Sequence, residues 1–245
     1  MSSGIWSAAS GAIANITAMD VAAVNAANVD THGYRAEHTI FRELMGKSNP
    51  NLPGAVDGRD LRYAVIDETG TDTRTGATIV TGRPLDGALL GEGYFSIQTE
   101  QGERFTRSGA IQVARDGTLV DNNGNPFNAA GGGPIIIPPN AKKAEITPDG
   151  SILVNGQAAG RLKVAKPDAG SQLVREGHLN FEIRGGSSPV ANVRIEPGSL
   201  EGSNVSAVKA MLDIVAANRA FDACQRAIES FSESDKKAVA GLMKA

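Results

Sequence analysis

The sequence predicts an α+β protein in which N- and C-terminal helices form a coiled-coil layer around a central antiparallel β domain. Three observations lead to this fold class. Apolar residues recur at alternating intervals of three and four near both ends of the 245-residue chain, which is the spacing of a coiled-coil seam. Between the two ends, short β-type segments alternate with Gly-rich turn signals. A barrel is one candidate arrangement for these strands.

The N-terminal helix is predicted from about residue 3 to residue 29, and it carries very little charge. Asp20 is its only charged side chain through Val29. We expect such a helix to be covered on several sides, which one partner helix of the same chain could not achieve. The pattern therefore favours an inter-subunit coiled coil over a two-helix hairpin packed on its own domain. The predicted interface residues form one seam: Ile5, Ala9, Ala12, Ile16, Met19, Ala23 and Ala26.

The C-terminal helix is predicted from about residue 204 to residue 243 and has a seam of its own. Its other side is charged, as expected for a face in water. Cys224 falls in the seam, which indicates a buried small residue rather than a nucleophile. The predicted interface residues of this helix are Ala207, Ala210, Ile214, Ala217, Phe221, Cys224, Ile228 and Phe231.

The chain is predicted to divide into three regions. Residues 1–34 and 200–245 are expected to form a terminal helical domain. Residues 83–199 are expected to form a β-rich outer domain, because turn signals recur there every few residues. Residues 35–82 show no clear periodicity and are predicted to be an extended linker or irregular region.

Within the β-rich region, particular residues predict turns and loops. Asp149-Gly150 and Asn155-Gly156 favour the tight turns of hairpins, because a positive φ costs these residues little. Pro138 and Pro139 exclude a central strand at their positions, because proline cannot donate a ladder hydrogen bond. Lys163 is predicted to be an exposed charge whose replacement by glutamate would have a mild effect.

Composition excludes several classes of partner. The net charge is −3 and there is no basic block, so nucleic acid is not expected to bind. The first twenty residues contain no Lys or Arg, so they do not form a secretory signal peptide. A membrane span is not expected either, because the N-terminal helix would place polar groups in the bilayer, namely Asn15, Asp20, Asn25 and Asn28.

The sequence offers no catalytic or metal-binding constellation. Its three histidines, His32, His38 and His178, do not have the spacing of a metal pair. Residues 121–126 begin like a calcium loop, but proline occupies the sixth position, where glycine is needed. The three glycines at 131–133 lack the Lys-Ser/Thr of a phosphate loop. We therefore predict that the protein is not an enzyme and has no cofactor or metal.

Four segments resemble a known family. Residues 81–98 and 104–126 resemble the entry to the β domain of bacterial flagellar rod and hook proteins, and residues 200–221 resemble the start of that family's C-terminal helix. Residues 25–36 (NAANVDTHGYRA) resemble the signature that ends its N-terminal helix. The residues that match this signature are Asn25, Asn28, Thr31, Gly33 and Tyr34.

This resemblance implies a structural subunit of the flagellar basal-body rod that polymerises into the periplasmic drive shaft and transmits motor torque. Residues 83–89 and 160–166 and the chain length are most similar to the proximal rod proteins, and a distal rod protein is the alternative. The implied partners are other rod subunits, further copies of the chain and the flagellar type III export apparatus, which needs no cleaved signal peptide. A ligand- or glycan-binding β module on helical anchors is a less favoured reading, because the single tryptophan, Trp6, lies in a predicted helix.

Overall fold

The computed structural model describes residues 3–46, 61–177 and 179–242. The chain divides into two compact units. The helical unit comprises Met1–Ala27, Glu37–Gly70 and Ser206–Ala245. The β unit comprises Asn28–Ala36 and Thr71–Val205. The architecture is α+β, as predicted, whereas the domain boundaries drawn from the sequence remain predictions.

The helical unit contains two long helices and a β-hairpin. Helix α1 spans Ser3–Ala27 and α2 spans Ala207–Leu242. Strand β1, Glu37–Gly46, packs against α1 and pairs with β2, Leu61–Thr71. Ser206 caps α2, since its hydroxyl accepts the amide hydrogen of Lys209 at 3.4 Å. Regular strands therefore occur in the region for which the sequence predicted an extended or irregular course.

Helices α1 and α2 run antiparallel and pack closely through small residues. A Cβ atom added at Gly4 would lie 2.6 Å from the Phe231 ring, and one at Gly11 would lie 3.3 Å from Cys224 Sγ. The side-chain amide of Asn15 is 3.9 Å from the same sulfur. Glycine at these positions lets the two helices approach, because a larger side chain would push them apart. The helix pair is therefore in close contact where glycine faces the other helix, as where the Phe231 ring packs on Gly4.

Helix α1 is long and apolar enough to cross a membrane when residues 4–27 are judged by length and composition alone. Core helices of soluble proteins and signal sequences satisfy the same criterion. The expectation that this chain has no membrane span rests on the polar side chains of the helix, and it remains a prediction.

The β unit is built from short antiparallel strands. Six of them form a sheet in the order β13-β14-β6-β5-β12-β15, and three form a second sheet in the order β11-β10-β9. The strands are β3 (Thr78–Val80), β4 (Gly87–Leu89), β5 (Tyr94–Thr99), β6 (Gly102–Thr106), β7 (Gln112–Val113), β8 (Leu119–Val120), β9 (Ala144–Ile146), β10 (Ser151–Val154), β11 (Gln157–Arg161), β12 (Val164–Pro167), β13 (Gln172–Glu176), β14 (Asn180–Arg184), β15 (Ser187–Pro189), β16 (Ile195–Pro197) and β17 (Ser199–Glu201).

The candidate barrel was wrong. In the described part of the chain the six-stranded sheet ends at β13 and β15, and the remaining pairs are two-stranded: β4 with β16, β3 with β17 and β7 with β8. Strands of two to six residues separated by frequent turns cannot maintain the continuous staggered ladder that closes a barrel.

Two apolar clusters lie on opposite faces of the six-stranded sheet. Alternate residues of β5 point to opposite sides, so Phe95 joins the larger cluster while Tyr94 joins the smaller one with Phe181. In the larger cluster the Phe95 ring meets the Phe127 ring edge-on, with centroids 6.1 Å apart. The β unit therefore has a core that does not depend on the helices.

The predicted turns are confirmed at the two Gly dipeptides. Asn155 and Gly156 adopt φ values of 51° and 83° between β10 and β11, as a tight hairpin requires. At the preceding turn the hydroxyls of Thr147 and Ser151 donate hydrogen bonds to the Asp149 carboxylate. The bond from Ser151 has the larger effect, and the two bonds together lower the pKa of Asp149 to about 2.

The structure corrects one surface prediction. Lys163 is only partly exposed, and its ammonium group lies 2.6 Å from the Glu103 carboxylate, so a charge reversal there is not expected to be mild. That carboxylate also accepts a hydrogen bond from the Ser96 hydroxyl. Although burial alone would raise the pKa of Glu103, the hydrogen bonds from Lys163 and Ser96 lower it. A charge reversal at Lys163 would therefore place two carboxylates together.

Replacing Phe127 with alanine is expected to destabilise the chain by about 3–5 kcal/mol, because it leaves a cavity in the larger cluster. Denaturant unfolding of the full chain measures the loss. The matched control is Ile136→Ala, since Ile136 is 55% exposed between two buried neighbours, and its effect should stay within about 0.5 kcal/mol. Equal losses for the two variants would show that the burial pattern is wrong.

Replacing Asp149 with asparagine is expected to cost stability at neutral pH but not in strong acid. A carboxylate whose pKa is lowered on folding contributes stability above its unfolded pKa, and the contribution disappears as the pH falls towards about 2. Unfolding curves of the two proteins should therefore converge between roughly pH 4 and pH 2. A stability difference that persists unchanged at the lower pH would contradict the assignment.

Candidate functional site

The signature asparagine Asn25 joins the end of α1 to the start of β1. Its side-chain amide donates to the Glu37 carbonyl at 2.7 Å, and its side-chain oxygen accepts from the Glu37 amide at 2.9 Å. The side chain therefore satisfies both backbone groups of Glu37, as a neighbouring strand would. Asparagine suits this position because it has both a donor and an acceptor at the same distance from the backbone.

The other signature residues form the turn that follows. The Thr31 hydroxyl donates to the Asn28 side chain at 3.1 Å. Gly33 has a φ of 76°, and a Cβ atom there would lie 2.4 Å from the backbone nitrogen of Ser108, so only glycine fits. Tyr34 is buried, and the Arg175 guanidinium stacks 4.7 Å from the centre of its ring.

Directly after this turn lies a buried ion cluster that sequence reasoning missed. Glu201 lies between two arginines: its Oε1 is 2.7 Å from Arg35, and its Oε2 is 2.8 Å from Arg107 Nε. All three residues are at least 97% buried. The Arg107 contact is an ion pair whose N–H is not aligned for a hydrogen bond. We call these three residues the ion cluster.

Backbone groups satisfy most of the remaining hydrogen-bonding capacity of the ion cluster. Arg107 donates to the carbonyls of Gly91 and Gly93 at 2.6–3.0 Å, and Arg35 donates to the carbonyl of Arg74. The Glu201 carboxylate also accepts the amide hydrogen of Gly76 at 3.0 Å. Burial lowers the pKa of Arg35, and the neighbouring Glu201 carboxylate opposes this effect.

The ion cluster holds together the two chain segments that lead to α1 and α2. The Glu201 carbonyl accepts the amide hydrogen of Gly33 at 2.7 Å. Asn204 extends the link, because its side-chain oxygen accepts from Ala36 at 2.6 Å and its amide donates to the carbonyls of Asp72 and Arg74. The segments before and after the β strands therefore meet within the β unit.

A signal for the ion cluster was present in the sequence. Arg35, Arg107 and Glu201 each lie inside one of the segments that carry the family resemblance. Local periodicity cannot predict a pairing of charges more than ninety residues apart in the chain. The resemblance of the segments therefore pointed to these positions but not to the contact between them.

The structure places the predicted N-terminal seam beside the face that packs on α2. Ala12 is buried, whereas Ile16 and Ala23 are exposed. The residues that contact α2 include Gly4, Gly11 and Asn15 instead. The seam was predicted from the alternating spacing of apolar residues, whereas the close helix contact follows the row of Gly4, Gly11 and Asn15. The other predicted members, all partly buried, are Ile5, Ala9, Met19 and Ala26.

The predicted C-terminal seam faces α1 of the same chain along much of its length. Cys224 and Phe231 contact Gly11 and Gly4, as described above. Ala207 is exposed at the start of the helix. The remaining members are buried or partly buried: Ala210, Ile214, Ala217, Phe221 and Ile228. The role of both seams in contacts between subunits stays a prediction.

Both helices expose apolar side chains away from this contact. The α1 stripe consists of Trp6, Ile13 and Ile16, which are 40–66% exposed. Sequence reasoning did not single out the α2 stripe, although its members have helical i, i+3, i+4, i+7 spacing. These members are 48–69% exposed: Val208, Met211, Leu212 and Val215.

No group of three or more His, Cys, Asp or Glu side chains that could hold a metal ion occurs within residues 3–46, 61–177 and 179–242. His178 lies outside the described residues, and His38 packs against Gly70. The site is thus a set of buried structural contacts together with two exposed apolar stripes. These are the features of a structural protein with long terminal helices.

Comparisons with known proteins identify the family. Residues 88–154 match the sequence model of the flagellar hook protein FlgE/F/G D1 domain, and residues 196–240 match that of the flagellar basal body rod FlgEFG protein C-terminal region. The chain is 34% identical to the flagellar basal-body rod protein FlgF of Escherichia coli K12, with 97% of both chains covered. It is 31% identical to FlgF of Rhizobium meliloti, with 91% of this chain and 90% of the relative covered. It is also 30% identical to FlgG of Bacillus subtilis, with 89% and 90% covered.

The chain therefore belongs to the flagellar basal-body rod protein family, as an FlgF-like structural subunit of the rod. The resemblance stated from the signature and the three further segments is confirmed. It follows that the ion cluster and the signature turn belong to a subunit of the flagellum, and that its biological role is in motility.

Replacing Glu201 with glutamine is expected to destabilise the folded chain by about 3–5 kcal/mol, because two buried guanidinium groups lose their shared counter-ion. Chemical unfolding of the purified protein measures this loss. Glu145→Gln is the control: Glu145 pairs with Lys143 at the surface at 2.6 Å, and such a pair contributes at most about 1 kcal/mol. A Glu201 variant as stable as the control would mean that the cluster is not formed in solution.

Proposed function

We propose that the chain polymerises through its helical unit into the proximal part of the rod and there transmits motor torque. The observation that carries this proposal is the pair of exposed apolar stripes on α1 and α2. Large apolar side chains that are half exposed or more in one subunit favour burial against another, and each contributes roughly 1.5–3 kcal/mol when fully buried.

The charge pattern supports contact on the α1 stripe. Asp20 is the only charged residue between Ser3 and Ala27, so few charges would be desolvated when this surface is covered. A helix of ordinary surface character would carry charges opposite its buried face. Covering the α1 stripe with a neighbouring subunit therefore costs little and gains apolar burial.

The geometry of the stripes supports a repeating assembly. The two stripes differ in sequence and lie on different helices, so a contact between them is heterologous rather than symmetric. A heterologous contact that does not close into a ring generates a filament. We infer that α1 and α2 of adjacent subunits form the coiled-coil layer predicted from the heptad spacing, with the seam residues and the stripes as its contacts.

The proximal position rests on the relatives. FlgF proteins match this chain at up to 34% identity among the relatives described above, and FlgG matches at 30%. A distal rod subunit is the alternative. Export through the flagellar type III apparatus without a cleaved signal peptide, and a periplasmic location, are further parts of this proposal, since they follow from the family resemblance. The absence of enzymatic activity is also part of this proposal, because the named relatives are rod proteins.

Ile13→Lys and Leu212→Lys are expected to abolish swimming and the recovery of rods in isolated basal bodies, because each places a charge in a stripe that assembly would bury. The thermal unfolding of the purified subunit should barely change, since these side chains are 66% and 63% exposed. Ile228→Lys would be less informative, because Ile228 is partly buried in the subunit.

The matched control is Gln225→Lys, which introduces the same charge at an exposed polar position of α2 and should leave swimming intact. Normal rods in both stripe variants would contradict the proposed interface. Loss of swimming in the control as well would show that any added charge on the helices is harmful, and would equally remove the support for the stripes.

A further inference from the structure

A cavity of about 660 Å³ lies in the β unit and has no role in the proposed function. One wall is the extended segment Thr71–Thr75, and a second is the loop Gly91–Gly93. Lys166 and Leu173 belong to a third side, and Arg35, Arg107 and Tyr94 also line it. Its volume falls in the range of small-molecule sites, roughly 300–1,000 Å³.

The charges of this cavity do not balance. Arg35, Arg107 and Lys166 line the cavity with three positive charges, and Arg175 lies close enough to act on Tyr94, while the carboxylates of Glu201 and Glu92 supply two negative ones. The nearby Asp72 carboxylate is already engaged by Arg74 at 2.6 Å. Buried charges are ordinarily paired. The excess of positive charge therefore favours an anionic group in the cavity.

Tyr94 adds a hydrogen-bond donor. Its ring is fixed between Phe181 and the Arg107 guanidinium, and its side chain is 94% buried. Its hydroxyl has no hydrogen-bond partner among the described residues and remains accessible to solvent. Burial raises the pKa of Tyr94, so the hydroxyl keeps its proton and can donate it to a ligand.

We propose that this cavity binds a carboxylate group on a small, peptide-like ligand. Tyr94 and Lys166 donate hydrogen bonds to the carboxylate, and the hydroxyls of Thr73 and Thr75 meet the polar backbone of the ligand. A carboxylate suits Tyr94 and Lys166 because its two oxygens can accept one hydrogen bond from each of them. Its source is either a free small molecule or an acidic residue of another protein chain.

The direct test titrates the full-length subunit with N-acetylglycine at constant ionic strength and follows backbone amide resonances by NMR. N-acetylglycinamide is the matched probe, since it has the same peptide group without the charge. Saturable shifts at Gly93, Tyr94 and Lys166 are expected with the first probe only. No saturation, or equal shifts with the uncharged probe, would overturn the proposal.

Variants on the rim should change affinity in opposite directions. Lys166→Gln is expected to weaken N-acetylglycine binding several-fold, and Glu92→Gln to tighten it, because both side chains are largely exposed and affect mainly the local charge. Tyr94→Phe keeps the ring and removes the donor, so it should also weaken binding. Lys142→Gln, at an exposed position outside the cavity lining, should leave the affinity unchanged. The same change in all four variants would contradict the assigned site.

The source of the carboxylate can be distinguished in assembled rods by a carbodiimide, which joins a lysine to a carboxylate in direct contact. A cross-link from Lys166 to another chain identifies an acidic residue of a neighbouring subunit. Probe binding to the free subunit without such a cross-link identifies a free small carboxylate. Both results support the cavity as a carboxylate site, and because the titration uses free subunits, its failure would leave the proposed function untouched.

Discussion

The Glu201 carboxylate is the contact on which the order of the β unit depends. It joins Arg35, just after the signature turn, to Arg107, at the end of the β5–β6 hairpin, and Glu201 itself ends the last strand. Three segments that are distant in sequence thus share one buried anion. If any one of them is displaced, a guanidinium or a carboxylate is left buried without a partner, which is strongly destabilising.

This cluster also explains why the signature residues are of these types. Gly33 must have no Cβ atom because Ser108 follows Arg107 directly and the two backbones touch. Tyr34 supplies the aromatic face on which Arg175 stacks, and Arg175 in turn donates to the carbonyl of Arg35. The turn and the ion cluster are therefore one packed structure, in which the glycine, the tyrosine and the arginine each occupy a position that another residue type would not fill.

Sequence periodicity revealed the parts of the fold that depend on local spacing. The two helices and the Asn155-Gly156 hairpin were predicted because heptads and tight turns are encoded within a few residues. The side of α1 that meets α2 was not identified, since the contact uses Gly4, Gly11 and Asn15, which are not part of the apolar heptad pattern. The ion cluster could not be predicted, because nothing local indicates that Arg35 pairs with Glu201.

The two units differ in how completely they bury their apolar side chains. The β unit has its own apolar core, and Glu201 pairs with both arginines of the ion cluster, so the unit contains what a subunit needs to fold alone. The helical unit keeps Ile13, Leu212 and other large apolar side chains in water, at a cost that burial against another surface would remove. Since Asn204 and Glu201 fix the chain on one side and Gly33 on the other, the segments that lead to the two helices are held together before any partner arrives. Less conformational entropy then remains to be lost on assembly, which leaves more of the apolar burial as net stabilisation of the contact.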